Sequence, residues 1–191
     1  MNRSTGVLIV TAMLAWIDNS AAAEFQVKGL KLGLTEEQAC GSSPVVRHQE
    51  TLEATGVTGL DFPATGCQLN FDSVAGIRPS GPARLLFWKG RLIRVIVEFE
   101  RLELSDAAAL RVAFMDLHGK PASRRSPPFR TDIWRTGKQK LELEWSEGLP
   151  TNVGVYMTDE LAWAEYQRVQ QRASNAVEAL EKKRRSEDVV R

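Results

Sequence analysis

The chain has 191 residues, 43% hydrophobic and 26% charged, with a net charge of +1. That apolar content suits a packed globular domain and excludes a disordered polyelectrolyte. Near-neutrality excludes a dedicated nucleic-acid binder, which carries a strong basic excess.

Residues 1–23 read as a secretory signal peptide. Arg3 supplies the positive n-region, residues 6–17 (GVLIVTAMLAWI) the apolar core, and Ala21, Ala22 and Ala23 a small-residue cleavage site. The apolar run is about 12 residues, against roughly 20 for a spanning helix, and Asp18 and Asn19 follow at once. The segment is therefore read as cleaved after Ala23, not as an anchor. No later segment is apolar enough to span a bilayer, so the expected product is soluble and periplasmic. Residues 24–158 form the expected α+β domain, with possible halves 24–103 and 104–158. Residues 159–191 form a helix and tail.

Residues 25–34 (FQVKGLKLGL) read as a short strand and turn. Thr35 is placed as the N-cap of a short helix over 35–40, with Gln38 completing a capping box and Gly41 ending it. Cys40 and Cys67 are the two cysteines. In an oxidising compartment they are read as a structural disulfide around a Gly-, Ser-, Thr- and Pro-rich loop. Free thiols and a metal pair are the alternatives; there is no C-x-x-C, and His48 and His118 are the only imidazoles. Residues 45–55 read as extended or weakly helical.

Strands are predicted over 67–71, 83–88 and 91–100, the last two joined across Lys89-Gly90. In the third, Ile93, Val95, Val97 and Phe99 alternate with Arg94, Ile96, Glu98 and Glu100, which gives one buried and one wet face. Ser105 is the expected cap of a second helix. Leu110, Ala113, Phe114 and Leu117 form its apolar stripe, and Gly119 and Pro121 end it. A second hairpin is expected over 131–136 and 138–145, then a strand over 152–158. Asp159 caps a long helix reaching about residue 184, amphipathic through Leu161, Ala162, Tyr166, Val169, Ala173, Val177 and Leu180. Its aromatic first half is expected to dock, with its lighter second half either docked or protruding.

The order is one helix and three strands, twice, before the last helix. The hairpin around Trp88-Lys89-Gly90 matches the one around Trp134-Arg135-Thr136-Gly137, each ending in Glu and an aromatic. A unit unable to bury its own apolar face gains by joining a second copy. The expected fold class is therefore α+β: an antiparallel sheet with helices on one face, possibly as two α-β-β-β halves.

The stretch Gly29-Leu30-Lys31-Leu32-Gly33-Leu34-Thr35-Glu36-Glu37-Gln38-Ala39 resembles the start of small exported domains of the β-lactamase-inhibitor-protein-like and SmpA/OmlA-like class. There a strand runs into an L-G-[ML]-T-x-x-[EQ]-[AV] turn that caps the first helix. The resemblance implies helices packed on an antiparallel sheet and a binding or assembly role in the cell envelope. The long stapled loop and the C-terminal helix depart from that class.

Catalytic signatures are missing. There is no G-x-S-x-G, phosphate loop, dinucleotide fingerprint, zinc spacing or calcium loop. No cofactor is expected. His118 is read as a cation at a helix end, and His48 as a loop residue near Arg47, Glu50 and Asp61. Glu98 with Glu100, and Glu142 with Glu144, pair on strand faces at about 7 Å. That suits acid–base hydrolysis, but Arg94 and Lys140 are placed to neutralise them. Between Gly119 and Lys140 stand Lys120, Arg124, Arg125, Arg130, Arg135, Lys138 and Lys140 against one acid, Asp132. Pro121, Pro127 and Pro128 make its start a loop. Lys120, Arg124, Arg125 and Arg130 are the candidate contacts to an anionic envelope surface. Lys182, Lys183, Arg184 and Arg185 suit a helix C-terminus. The expected function is a non-catalytic periplasmic binding or structural module. An inhibitor of an envelope or foreign hydrolase comes next, then a small envelope hydrolase.

Overall fold

The period-two alternation does produce one broad antiparallel sheet. The structure, a computed structural model, describes residues 24–47, 64–148 and 151–189. The expected signal segment and His48 lie outside the described residues.

Ten strands are described: β1 (Gln26–Val27), β2 (Leu30–Lys31), β3 (Val46–Arg47), β4 (Ala64–Leu69), β5 (Ala83–Trp88), β6 (Arg91–Leu102), β7 (Ala122–Ser126), β8 (Phe129–Thr136), β9 (Gln139–Ser146) and β10 (Thr151–Asp159). Three helices join them: α1 (Glu36–Cys40), α2 (Leu104–His118) and α3 (Glu160–Val189). Strands β1 and β2 form a small hairpin. The other eight make one sheet in the order β3-β4-β5-β6-β10-β9-β8-β7. Among the described residues, each unit is a helix followed by a four-strand meander, and the meanders meet at the antiparallel β6–β10 pair.

Each unit thus has four strands among the described residues, against the expected three. The added ones are the two outer edges: β3, inside the piece read as extended or weakly helical, and β7, not expected as a strand. Residues 122–126 are a strand where prolines argued for a loop. All five residues are exposed, so no apolar alternation marks them. Their ladder to β8 is the ordering force. The hairpin likeness also falls out of step. Strands β5 and β6 are third and fourth in the first unit, whereas β8 and β9 are second and third in the second.

Turn chemistry follows the residues. Lys89 and Gly90 both adopt positive φ, 51° and 72°, as a type I′ hairpin turn requires. Thr35 caps α1 through the expected box: Gln38 N–H donates to its hydroxyl, and Thr35 N–H donates to Gln38 Oε1. Helix α2 starts at Leu104 with Glu103 as N-cap and no side-chain cap bond, so Ser105 lies inside it. Strand β4 begins three residues earlier than expected.

The first face of the sheet holds the core. Leu85, Phe87, Val95, Val97, Phe99, Leu141, Leu143, Val155 and Met157 are buried there, under Ala39 and Cys40 of α1 and Leu110 and Phe114 of α2. Leu117 is 75% exposed, contrary to the expected stripe. The inward place at that end goes to His118, whose ring lies against Phe25, Phe114 and Trp134. Burial lowers its pKa, which favours neutral imidazole over the expected cation.

Helix α3 lies on the opposite face. Ala162, Trp163, Tyr166 and Val169 pack on Ala64, Leu86, Trp88 and Ile93. Lys89 Nζ holds Glu165 at 2.6 Å beside them. Asp159 caps the helix by accepting from Ala162 N–H. Leu161, expected on the inner stripe, is 70% exposed, and Leu180 is also exposed. Further along the helix, Ala173 is buried and Val177 half-buried. Side chains at 178–180 and 182–185 are exposed.

Cys40 and Cys67 form a disulfide tying α1 to β4. With a sequence separation of 27, chain entropy assigns it about 3–4 kcal/mol. Replacing both cysteines with Ala should lower the stability read by urea denaturation by that amount. An unchanged midpoint would show that packing alone holds α1.

Candidate functional site

The second face of the sheet is where polar chemistry collects. On it, Gly154 of β10 is in register with Glu98 of β6 on one side and Glu144 of β9 on the other. Two strand spacings set those glutamate Cα atoms roughly 10 Å apart. Tyr156 lies back over the gap. A Cβ added to Gly154 would stand 2.6 Å from Tyr156 Cζ, so glycine leaves the space the ring occupies. Burial first, then the charges of Glu144 and Glu98, raises the phenol pKa. A shallow cavity of about 230 Å³ opens here, with Phe129, Glu100 and Asn152 on its rim.

The neighbouring row extends the surface. Arg84, Ile96, Tyr156, Glu142 and Ile133 follow one another across β5, β6, β10, β9 and β8. Ile96, Tyr156 and Ile133 are half-buried and Phe129 is exposed. Arg84 donates to Glu98 at 2.6 Å. Lys140 pairs with Glu142 at 3.0 Å, as the sequence suggested.

Arg94 does something else. Its guanidinium lies 4.2 Å from the Trp163 ring centroid and 5.3 Å from that of Tyr156. It is therefore clamped between α3 and β10, and it does not neutralise Glu98. Burial lowers its pKa. Cation–π contacts of this kind contribute about 0.5–2 kcal/mol each.

The carboxylates are poorly arranged for acid–base work. Glu98 is held by Arg84 and Glu142 by Lys140. The phenol between Glu98 and Glu144 keeps its proton to high pH. The surface suits recognition: aromatic and aliphatic patches ringed by charges of both signs. Among the described residues, no group of three or more His, Cys, Asp or Glu is placed to hold a metal ion.

The basic segment is split by the fold. Arg125 pairs with Glu147, Arg135 with Glu160, Lys138 with Asp159, and Arg130 stacks on Trp145. Lys120 and Arg124 are exposed and make no ion pair among the described residues. Asp132 is fully buried, where Arg111 of α2 reaches it at 2.6 Å and Ser123 of β7 also donates to it. Sequence reasoning weighed the glutamates but missed Tyr156 and Gly154. The Gly-x-Tyr spacing on β10 was the available signal.

No family model matches this chain, and no curated protein or solved structure shows significant similarity to it.

The raised phenol pKa has a measurable consequence. The folded protein keeps the Tyr156 proton to higher pH than the unfolded chain, so native stability falls as pH rises past about 10. On a Tyr166→Phe background, which leaves one tyrosine, Glu144→Gln should shift the absorbance titration of the phenol to lower pH. A curve that does not move would remove Glu144 from the site.

Proposed function

We propose that this protein is a non-catalytic binding module that docks a partner protein on the second face of its sheet. The carrying observation is the asymmetry of that sheet. One face is packed under α1, α2 and the β1–β2 hairpin. The other, beyond the ground held by α3, keeps Ile96, Tyr156, Ile133 and Phe129 within solvent's reach among the described residues. Aromatic side chains on such a patch are the usual anchors of protein interfaces. The two helix-plus-meander units also agree with the binding role that the resemblance to inhibitor-like exported domains implies.

The proposed site of action is the periplasm, reached through the signal peptide of residues 1–23. The Cys40–Cys67 bridge is compatible with that oxidising compartment. The partner is then a component of the cell envelope.

Affinity retention from envelope extract tests the reading. Tyr156→Ala with Phe129→Ala removes two anchors, each worth about 2 kcal/mol in a typical interface. Retention of the partner should fall at least tenfold, with the circular dichroism spectrum unchanged. Equal retention by the variant, or no protein retained by either form, would contradict a docking role for this face.

A further inference from the structure

The edge strand β7 offers a second, separate surface. Among the described residues it is the last strand of the sheet and pairs with β8 alone. Strand β7 is five residues long, Ala122–Ser126, and all five are exposed. An antiparallel edge strand turns alternate N–H and C=O groups outward, ready for another strand.

Helix α2 runs beside this edge, and a hollow lies at each end of the pair. One, of about 670 Å³, is lined by Leu104, Ala108 and Arg111 of α2, Arg125 of β7, and Trp145. The other, of about 490 Å³, is lined by Leu117 and His118 of α2, Lys120, and Ala122 of β7. Leu104 and Leu117, at the two ends of α2, are 60% and 75% exposed. The five residues of β7 span about 17 Å, so an extended segment of similar length would meet both hollows. Its foundation is firm, because the buried Asp132 binds both Ser123 of β7 and Arg111 of α2.

Charge selects the occupant. Arg124 points to the second face, in register with Thr131, and has no ion pair among the described residues; nor has Lys120. Arg125 is already paired with Glu147. The edge therefore presents net positive charge. Two copies of β7 would repel each other, whereas a strand carrying acid opposite Arg124 would be drawn in.

We propose that β7 and the adjacent flank of α2 bind an extended acidic segment of a partner protein by strand addition. Its backbone would continue the sheet, an acidic side chain would lie beside Arg124, and alternate apolar side chains would enter the hollows on the first face. An anionic lipid surface, which the basic segment suggests from sequence, fits less well. Only two of the four cations expected to touch it, Lys120 and Arg124, are left unengaged.

Three capped synthetic peptides and one vesicle preparation test this. The first peptide alternates Glu with Val and Thr; the second has Lys for Glu; the third is the first with alternate backbone nitrogens methylated. The first should bind the full protein and slow hydrogen exchange at alternate amides between Ala122 and Ser126. Lys120→Glu with Arg124→Glu should weaken it at least tenfold, and the second and third peptides should not bind. Tyr156→Ala should leave this binding unchanged, which separates it from the sheet-face reading. The proposal is overturned if the methylated or lysine peptide binds equally well. It is equally overturned if β7 exchange does not change, or if vesicles of anionic phospholipid bind where the first peptide does not.

Discussion

The pairing of β6 with β10 is the contact on which the rest depends. Each unit alone is, among the described residues, a four-strand meander with a single helix, too thin to bury both its apolar residues and its strand edges. Running β6 against β10 joins the meanders through their longest strands. It aligns Val95, Val97 and Phe99 with Met157, Val155 and Val153. These six side chains are the middle of the core. A slip of one residue would turn all of them to the opposite face, so the same register that builds the core also decides which residues stand on the open side.

Placement of charge follows from that register. Residues between the core positions necessarily share the other face: Arg94, Ile96 and Glu98 on β6, Gly154 and Tyr156 on β10, Lys140, Glu142 and Glu144 on β9. Most are paired locally, which keeps a broad sheet face soluble without closing it. Helix α3 occupies one end of that face, and Arg94 marks the border, stacked on Trp163 from the helix and Tyr156 from the strand. The helix is therefore part of the wall of the proposed docking surface. Its first residues are fixed by Asp159, which accepts from Ala162 and pairs with Lys138.

Much of this was legible in the residues. Alternation in 91–100 and 138–145 marked strands with one buried face, and Lys89-Gly90 marked a hairpin. Thr35 with Gln38 marked the α1 cap, and Cys40 with Cys67 the bridge. The misses share a cause: they depend on what lies across the sheet. Residues 122–126 have no periodicity, because an edge strand exposed on both sides needs none. Leu117 lies on the inner arc of α2 by spacing, yet the core ends before it and His118 fills the place. Arg94 looked like a partner for Glu98 on the same strand, but the cross-strand neighbour Arg84 reaches Glu98 while α3 takes Arg94. Of the proposed docking face, the carboxylates could be read directly. The tyrosine folded over Gly154 left only a Gly-x-Tyr spacing in the sequence, and its meaning comes from the glutamates on the two flanking strands.

A photo-crosslinking residue placed at Ile96, in the middle of the second face, measures the central claim most directly. The comparison is the same residue at Lys28, exposed in the β1–β2 turn on the packed side. In intact cells, irradiation should join the Ile96 form to a discrete envelope protein and leave the Lys28 form uncoupled. Adducts from Lys28 alone, or none from Ile96, would contradict docking through the open sheet face.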